Sequence, residues 1–206
     1  MADVTLTYKG NTIAEMNATG TKTLKTAGKY CEDDIGVSYV KPESGGTSDE
    51  LAKQLIQTRG NALTIPNGIT KIAKYAFYYA NYYEIILPEG VTEIDNYAFY
   101  GCNSITSMTF PQSLTKIGNS SFNFCLFSKI IFPQNLETIG EYIFSNCKLL
   151  KTITFQGTPT SIDSNAFKNC TRLDTINVPW SEGEVSGAPW GASLIGVTIN
   201  YNYTES

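Results

Sequence analysis

Ser121-Phe122-Asn123-Phe124-Cys125 stands near the middle of this chain, and the same phrase returns on either side of it. Ala76-Phe77-Tyr78-Tyr79-Ala80 and Ala98-Phe99-Tyr100-Gly101-Cys102 precede it; Ile143-Phe144-Ser145-Asn146-Cys147 and Ala166-Phe167-Lys168-Asn169-Cys170 follow. The phenylalanines Phe77, Phe99, Phe122, Phe144 and Phe167 step by 22 or 23 residues. A fixed period of that length marks a solenoid, in which each repeat buries its apolar face only against its neighbours. Stacked repeats make a long surface rather than an enclosed pocket, so the period also points towards binding.

Outward from the phrase, each repeat has one grammar over residues 61–178. A strand closes on an apolar residue and usually proline, as in Ile65-Pro66, Leu87-Pro88, Phe110-Pro111, Phe132-Pro133 and Val178-Pro179. Proline lacks an N–H, so it ends a parallel ladder and turns the chain off the sheet. Two apolar core positions come next: Ile69 and Ile72, Val91 and Ile94, Leu114 and Ile117, Leu136 and Ile139. The fifth repeat varies, with Gln156-Gly157-Thr158-Pro159 leading to Ile162. One short strand per turn and an irregular or helical return are expected.

The flanks read differently. Residues 1–40 form a small β-rich module: Val4-Thr5-Leu6-Thr7-Tyr8 and Thr12-Ile13-Ala14-Glu15-Met16 around Lys9-Gly10-Asn11 read as a hairpin. Thr21-Lys22-Thr23-Leu24 and Ile35-Gly36-Val37-Ser38-Tyr39-Val40 read as further strands. A unit this small buries too little to stand alone, so it is expected to attach to a larger assembly or to oligomerise. Residues 41–47 are a polar, glycine-containing linker. Thr47-Ser48-Asp49-Glu50 has the form of a capping box, which predicts a capping helix over 48–60. Residues 179–206, with Trp180, Trp190 and the strand Val197-Thr198-Ile199-Asn200-Tyr201-Asn202-Tyr203, are expected to close the other end.

Composition narrows the chemistry. The 206 residues carry a net charge of −4 and no histidine, which removes the commonest general acid/base and neutral metal ligand together. Lys and Arg do not cluster as nucleic acid or an anionic membrane would require, and no apolar run is long enough to span a bilayer. The start, Met1-Ala2-Asp3-Val4-Thr5, lacks the pattern of a secretory signal, so export by that route is not expected unless a signal has been removed. No cofactor or metal site is expected, since no close cysteine pair occurs. Cys102, Cys125, Cys147 and Cys170 are expected as free structural thiols in one core niche, and Cys31 as the exposed one. Glu93 and Asp95 read as a solvated pair, and the sequons at Asn17, Asn119, Asn169 and Asn202 carry no argument without export.

The repeat grammar resembles the BspA-type (Treponema pallidum-like) leucine-rich repeat family, with consensus L-x-x-I-x-L-P-x-x-(V/L)-x-x-I-x-x-x-A-F-x-x-C. Ile105-Thr106-Ser107-Met108-Thr109-Phe110-Pro111 and Leu150-Lys151-Thr152-Ile153-Thr154-Phe155 match its strand segment. The first repeat departs from it with Ala80 for Cys, as a terminal repeat can. The resemblance implies an α/β repeat solenoid: a leucine-rich-repeat right-handed superhelix of five repeats with a parallel concave sheet, preceded by the β-rich unit. It also implies adhesion and protein contact at bacterial surfaces, and no catalytic motif.

Binding residues follow from strand alternation. If Ile85 and Leu87, Met108 and Phe110, Ile130 and Phe132, Ile153 and Phe155, Ile176 and Val178 point inward, two columns face the concave side. One is Glu84, Ser107, Lys129, Thr152 and Thr175; the other is Ile86, Thr109, Ile131, Thr154 and Asn177. A second candidate is the tyrosine crowd of the first two repeats, Tyr78, Tyr79, Tyr82, Tyr83 and Tyr100, with Tyr75 and Tyr97 beside them. Tyr offers a large amphipathic contact area at low entropy cost. The expected function is non-enzymatic presentation of the repeat surface to a protein or glycan on a host or neighbouring cell. The final segment resembles the close of repeat proteins of phages and prophages from Gram-positive gut bacteria. Asn17-Ala18-Thr19-Gly20-Thr21-Lys22-Thr23-Leu24 with Ile35-Gly36-Val37 resembles phage tail-associated proteins, so a virion setting is expected first and a bacterial cell-surface adhesin second.

Overall fold

A computed structural model describes residues 4–8, 11–16, 22–24, 62–65, 69–80, 82, 84–192 and 196–204. The expected linker over 41–47, the helix over 48–60, the strand Ile35–Val40, Cys31, Pro66 and Tyr83 lie outside the described residues.

The chain is a parallel β-solenoid whose turns each contribute two short strands and one tight turn. One strand per turn runs up to the proline position: β4 (Ala62–Thr64), β6 (Glu84–Ile86), β8 (Ser107–Thr109), β10 (Lys129–Phe132), β12 (Thr152–Phe155) and β14 (Thr175–Asn177). These pair in parallel as β4-β6-β8 and as β10-β12-β14, the latter closed by β15 (Thr198–Asn200). The expected inward residues hold: Ile85, Phe132, Ile153, Ile176 and Val178 are buried, and Met108 packs against the core from a half-buried position.

A second sheet runs through the return leg. Each pair of core positions ends in a two-residue strand: β5 (Lys71–Ile72), β7 (Glu93–Ile94), β9 (Lys116–Ile117), β11 (Thr138–Ile139) and β13 (Ser161–Ile162). The N-terminal hairpin, β1 (Val4–Tyr8) with β2 (Asn11–Met16), leads to β3 (Lys22–Leu24), which pairs in parallel with β5 in the register Thr23↔Lys71 and Leu24↔Ile72. The strands β1–β3 thus extend this sheet. Among the described residues there is no α-helix, so the return is irregular rather than helical.

The Ala-Phe phrase makes a third ladder. Tyr75, Phe77 and Tyr79 donate their N–H groups to the carbonyls of Asn96, Ala98 and Tyr100 in the next turn, at 3.4, 2.7 and 2.8 Å. The intervening N–H groups of Ala76, Tyr78 and Ala80 close onto residues three back. Each turn places positive φ four residues apart, at Tyr75 and Tyr79, Tyr97 and Gly101, Ser120 and Phe124, and Tyr142 and Asn146, with Asn169 in the fifth; the non-glycine members all have φ between 53° and 65°. Under the ladder the phenylalanines stack ring on ring: Phe77 on Phe99 at 4.8 Å, Phe99 on Phe122 at 5.0 Å, Phe122 on Phe144 at 5.2 Å. Trp190 ends the column, fully buried against Phe167, and its carbonyl receives the Phe167 N–H at 3.0 Å.

Candidate functional site

The phrase sets three rows of side chains along one edge of the solenoid. Two residues before each Phe stand Tyr75, Tyr97, Ser120, Tyr142 and Asn165; one after it stand Tyr78, Tyr100, Asn123, Ser145 and Lys168; two after it stand Tyr79, Gly101, Phe124, Asn146 and Asn169. The first turns are therefore aromatic and the later ones amide-rich. Tyr75 stacks on Tyr97 at 5.2 Å and Tyr78 on Tyr100 at 5.3 Å, one ring per turn. Tyr79 stands across the second stack, edge-on to Tyr78 at 4.6 Å and to Tyr100 at 5.8 Å. Its ring occupies the space that a Cβ on Gly101 would need, so the glycine (φ 71°) makes the seat for it. Phe124 extends the ledge, edge-on to Tyr100 at 5.6 Å, and Lys74 lies 5.0 Å over Tyr75 as a cation–π contact.

Tyr75, Tyr78, Tyr79 and Phe124 are 45%, 38%, 55% and 43% exposed, forming one continuous aromatic surface. Desolvation first, then the neighbouring phenols, hold Tyr78 and Tyr100 above the ordinary tyrosine value. Of the expected aromatic residues, Tyr78, Tyr79 and Tyr100 meet here, while Tyr82 turns away to pack edge-on against Phe77 in the core. Phe124 was not among them, although its place two after Phe122, shared with Tyr79, carried the signal. Beyond Phe124 the ledge passes into an amide ladder in which Asn146 donates to Asn123 and Asn169 to Asn146, each at 3.1 Å.

The strand face is less uniform than alternation implies. Glu84, Ser107, Lys129, Thr152 and Thr175 form a column that is half-buried or exposed throughout. In the other column Ile86 and Thr109 are exposed and Ile131 is half-buried, but Thr154 and Asn177 are 3% and 7% exposed. Those two are therefore not open to a partner as expected. Asn177 donates to Thr154 Oγ1 at 3.1 Å and accepts from Asn200 at 2.8 Å, so their polar groups serve a ladder within the sheet. The strand β15, which supplies Asn200, continues the sheet beyond β14, and Tyr203 and Thr204 lie beside Thr154.

The charged groups are structural. Lys71 bridges Glu93 at 3.2 Å and Asp95 at 3.1 Å, and Lys116 takes the other Glu93 oxygen at 3.1 Å. Glu93 and Asp95 are thus rungs of a charge ladder across three turns rather than a solvated pair. Burial works against the Asp95 carboxylate, but bonds from the Asn96 N–H and Lys71 outweigh it and hold its carboxyl below the ordinary value. Among the described residues no three ligand-type side chains gather closely enough to hold a metal ion. The four repeat thiols are free and buried. Each Sγ donates to the phenylalanine carbonyl of the preceding turn: Cys102 to Phe77 at 2.9 Å, Cys125 to Phe99 at 3.3 Å, Cys147 to Phe122 at 3.2 Å, Cys170 to Phe144 at 3.0 Å.

Parallel strands repeating every 22 or 23 residues over a stacked phenylalanine core define a solenoid of the leucine-rich-repeat class. Within that class the chain belongs to the family described as "BspA type Leucine rich repeat region (6 copies)", whose model matches residues 61–187. Among solved structures it is similar to the Treponema pallidum leucine-rich repeat protein TpLRR, with a TM-score of 0.62 and 20% identity over 92% of this chain and 78% of that one. It is similar also to a leucine-rich repeat protein of Bacteroides ovatus, with a TM-score of 0.54 and 20% identity over 86% of this chain and 46% of that one. The pneumococcal vaccine antigen PcpA gives a TM-score of 0.54 and 18% identity over 73% of this chain and 44% of that one. The chain therefore spans most of TpLRR but under half of the other two. No curated protein matches it in sequence.

Proposed function

We propose that this chain is a non-enzymatic interaction protein that holds a partner on a host or neighbouring cell against its aromatic ledge. The carrying observation is the backbone beneath that ledge. Tyr75, Tyr79, Tyr97 and Phe124 all stand at positive φ, where a bulky residue costs ~1–2 kcal/mol and glycine or asparagine sits at ease. Gly101, Asn146 and Asn169 take the relaxed choice at the equivalent place in the same chain. Tyr75, Tyr79 and Phe124, kept at such a cost and about half exposed, contribute little to the core, which the phenylalanine column already fills. Large, rigid, exposed tyrosines are the side chains that protein interfaces favour. Membership of a repeat family of generally non-catalytic binding proteins supports the same reading.

The setting proposed is a phage or prophage tail, with the strands β1–β3 as part of the attachment module; a bacterial cell-surface adhesin is the alternative. The resemblance of Asn17–Leu24 with Ile35-Gly36-Val37 to phage tail-associated proteins, and of the segment after Val178 to the close of phage and prophage repeat proteins, supports the first, and the family supports the second. Genes for tail and holin proteins beside this one favour the virion, whereas a longer reading frame with an export signal sinks it.

Binding of the fluorescently labelled full chain to a panel of bacterial and epithelial cells, read by flow cytometry, tests the ledge. The triple variant Tyr78→Ala, Tyr79→Ala, Tyr100→Ala should lose most of the bound signal and keep a cooperative melt. Cell binding equal to the parent would remove the ledge as the contact surface.

A further inference from the structure

The geometry points to a second site, separate from the ledge: a cleft at the carboxyl ends of β10 and β12 that takes a neutral saccharide. The cleft has a volume of about 500 Å³, and its lining includes Gln112, Gln134 and Gln156, Tyr203 and Thr204, and the buried Thr154. That volume lies inside the ~300–1,000 Å³ range of small-molecule sites.

Its lining is built, not incidental. Gln112 accepts the Gln134 N–H at 3.1 Å and donates Nε2 to Gln156 at 3.0 Å, which ties three turns into one amide surface. Gln156 stands where earlier repeats carry Pro88, Pro111 and Pro133, so this turn exchanges a ring for an amide. The following Gly157 has no side chain where a Cβ would run into the Gln134 carbonyl, and this close approach holds the two turns together. The chain around Tyr203 is pinned as firmly. Tyr203 donates its N–H to the Val178 carbonyl at 2.9 Å, and Asn202, at φ 52°, donates to the Trp180 carbonyl at 3.0 Å.

The lining chemistry selects the ligand class. Among the described residues that line the cleft there is no Asp, Glu, Lys or Arg, so nothing there neutralises a phosphate, a carboxylate or a cation. What it offers is amide donors and acceptors, the Thr204 hydroxyl and a tyrosine ring, which suit a ligand dense in hydroxyl groups with an apolar ring face. The Gln134 side-chain amide bonds to no other described residue and stays available. A peptide is the weaker fit. Docking as an added strand is closed to it, since β12 is paired on both sides at this point.

The proposal does not rest on the ledge, and its test keeps the two apart. The full chain is presented to an array of neutral oligosaccharides (cellobiose, maltose, lactose, mannobiose, chitobiose), sialylated and sulfated glycans and unrelated peptides, and hits are titrated by saturation-transfer NMR. A neutral sugar should bind; Gln134→Ala should weaken it about tenfold, as loss of a well-made hydrogen bond does. Tyr203→Ala should weaken it similarly, and Tyr79→Ala should leave it unchanged. Gln134 is exposed, so its variant tests the site even if Tyr203→Ala loosens the chain end. The proposal is overturned if no neutral sugar binds, if only anionic glycans or peptides bind, or if Gln134→Ala binds as the parent does. Loss of sugar binding in Tyr79→Ala alone would overturn it too, by moving the sugar to the ledge.

Discussion

At the scale of the residue, the recurring cysteine is a hydrogen-bond donor to the turn behind it as well as a core filler. At Ala80 the position carries no thiol, and no Ala-Phe phrase precedes that repeat in the sequence. The spacing made the column legible as core, but the partner of each thiol depends on how turns stack and left no mark in the sequence. Burial raises the Cys102 and Cys170 thiols from near 9 to about 12, and it pushes Cys125 and Cys147 up as well, with neighbouring thiols adding to the effect. The unfolded chain loses these protons near pH 9 while the folded one keeps them. Their contribution to stability is therefore fully present below about pH 9 and is lost as pH rises towards the folded values. Urea melts at rising pH should show this fall. Cys147→Ala should cost about 1–2 kcal/mol at neutral pH, from a small cavity and a lost bond, yet fall less steeply above pH 9. Equal alkaline slopes for parent and variant would remove the thiols as its source.

At the scale of the element, the turn is what the sequence hides best. The long strands announce themselves by alternation and by the prolines that stop them. The two-residue strands such as Lys71–Ile72 are too short for any alternation to register, and their sheet emerges only when equivalent residues stack. Thr154 and Asn177 read as exposed because alternation knows nothing of β15 or of Tyr203 and Thr204 beside Thr154. Likewise the positive φ beneath the ledge contradicts residue preference at Tyr75, Tyr79, Tyr97 and Phe124, so local propensity could not have found it. At Gly101, within the ledge, preference and structure agree, and that glycine is the seat of Tyr79. Gly101→Ala should destabilise by about 1–3 kcal/mol, from a side chain at φ 71° and from displacement of the tyrosine ring. Its near-UV dichroism should lose tyrosine signal while the far-UV spectrum holds. An unchanged near-UV spectrum would mean that Tyr79 is not fixed as described.

At the scale of the whole molecule, three ladders running the same way make each turn interchangeable with the next as scaffold but not as surface. Stability in such a stack is close to a sum over turns and their contacts. The two proposed binding surfaces are not distributed that way, because the ledge occupies the first turns and the cleft is made by glutamines of later ones with Tyr203 and Thr204. Removal of residues 138–160 joins Glu137 to Ser161, and the pairing Thr138↔Ser161, Ile139↔Ile162 shows that the cut falls at equivalent positions. The shortened chain loses β12, Phe144, Cys147, Gln156 and Gly157 but keeps the aromatic ledge through Phe124. It should fold cooperatively with a lower melting temperature, since four phenylalanine turns remain and about three suffice for a stable stack. Cell binding through the ledge should survive and neutral-sugar binding through the cleft should vanish. Loss of both activities from a chain that still melts cooperatively would show that the two surfaces are one site, and that the turns are not independent units in the way three parallel ladders require.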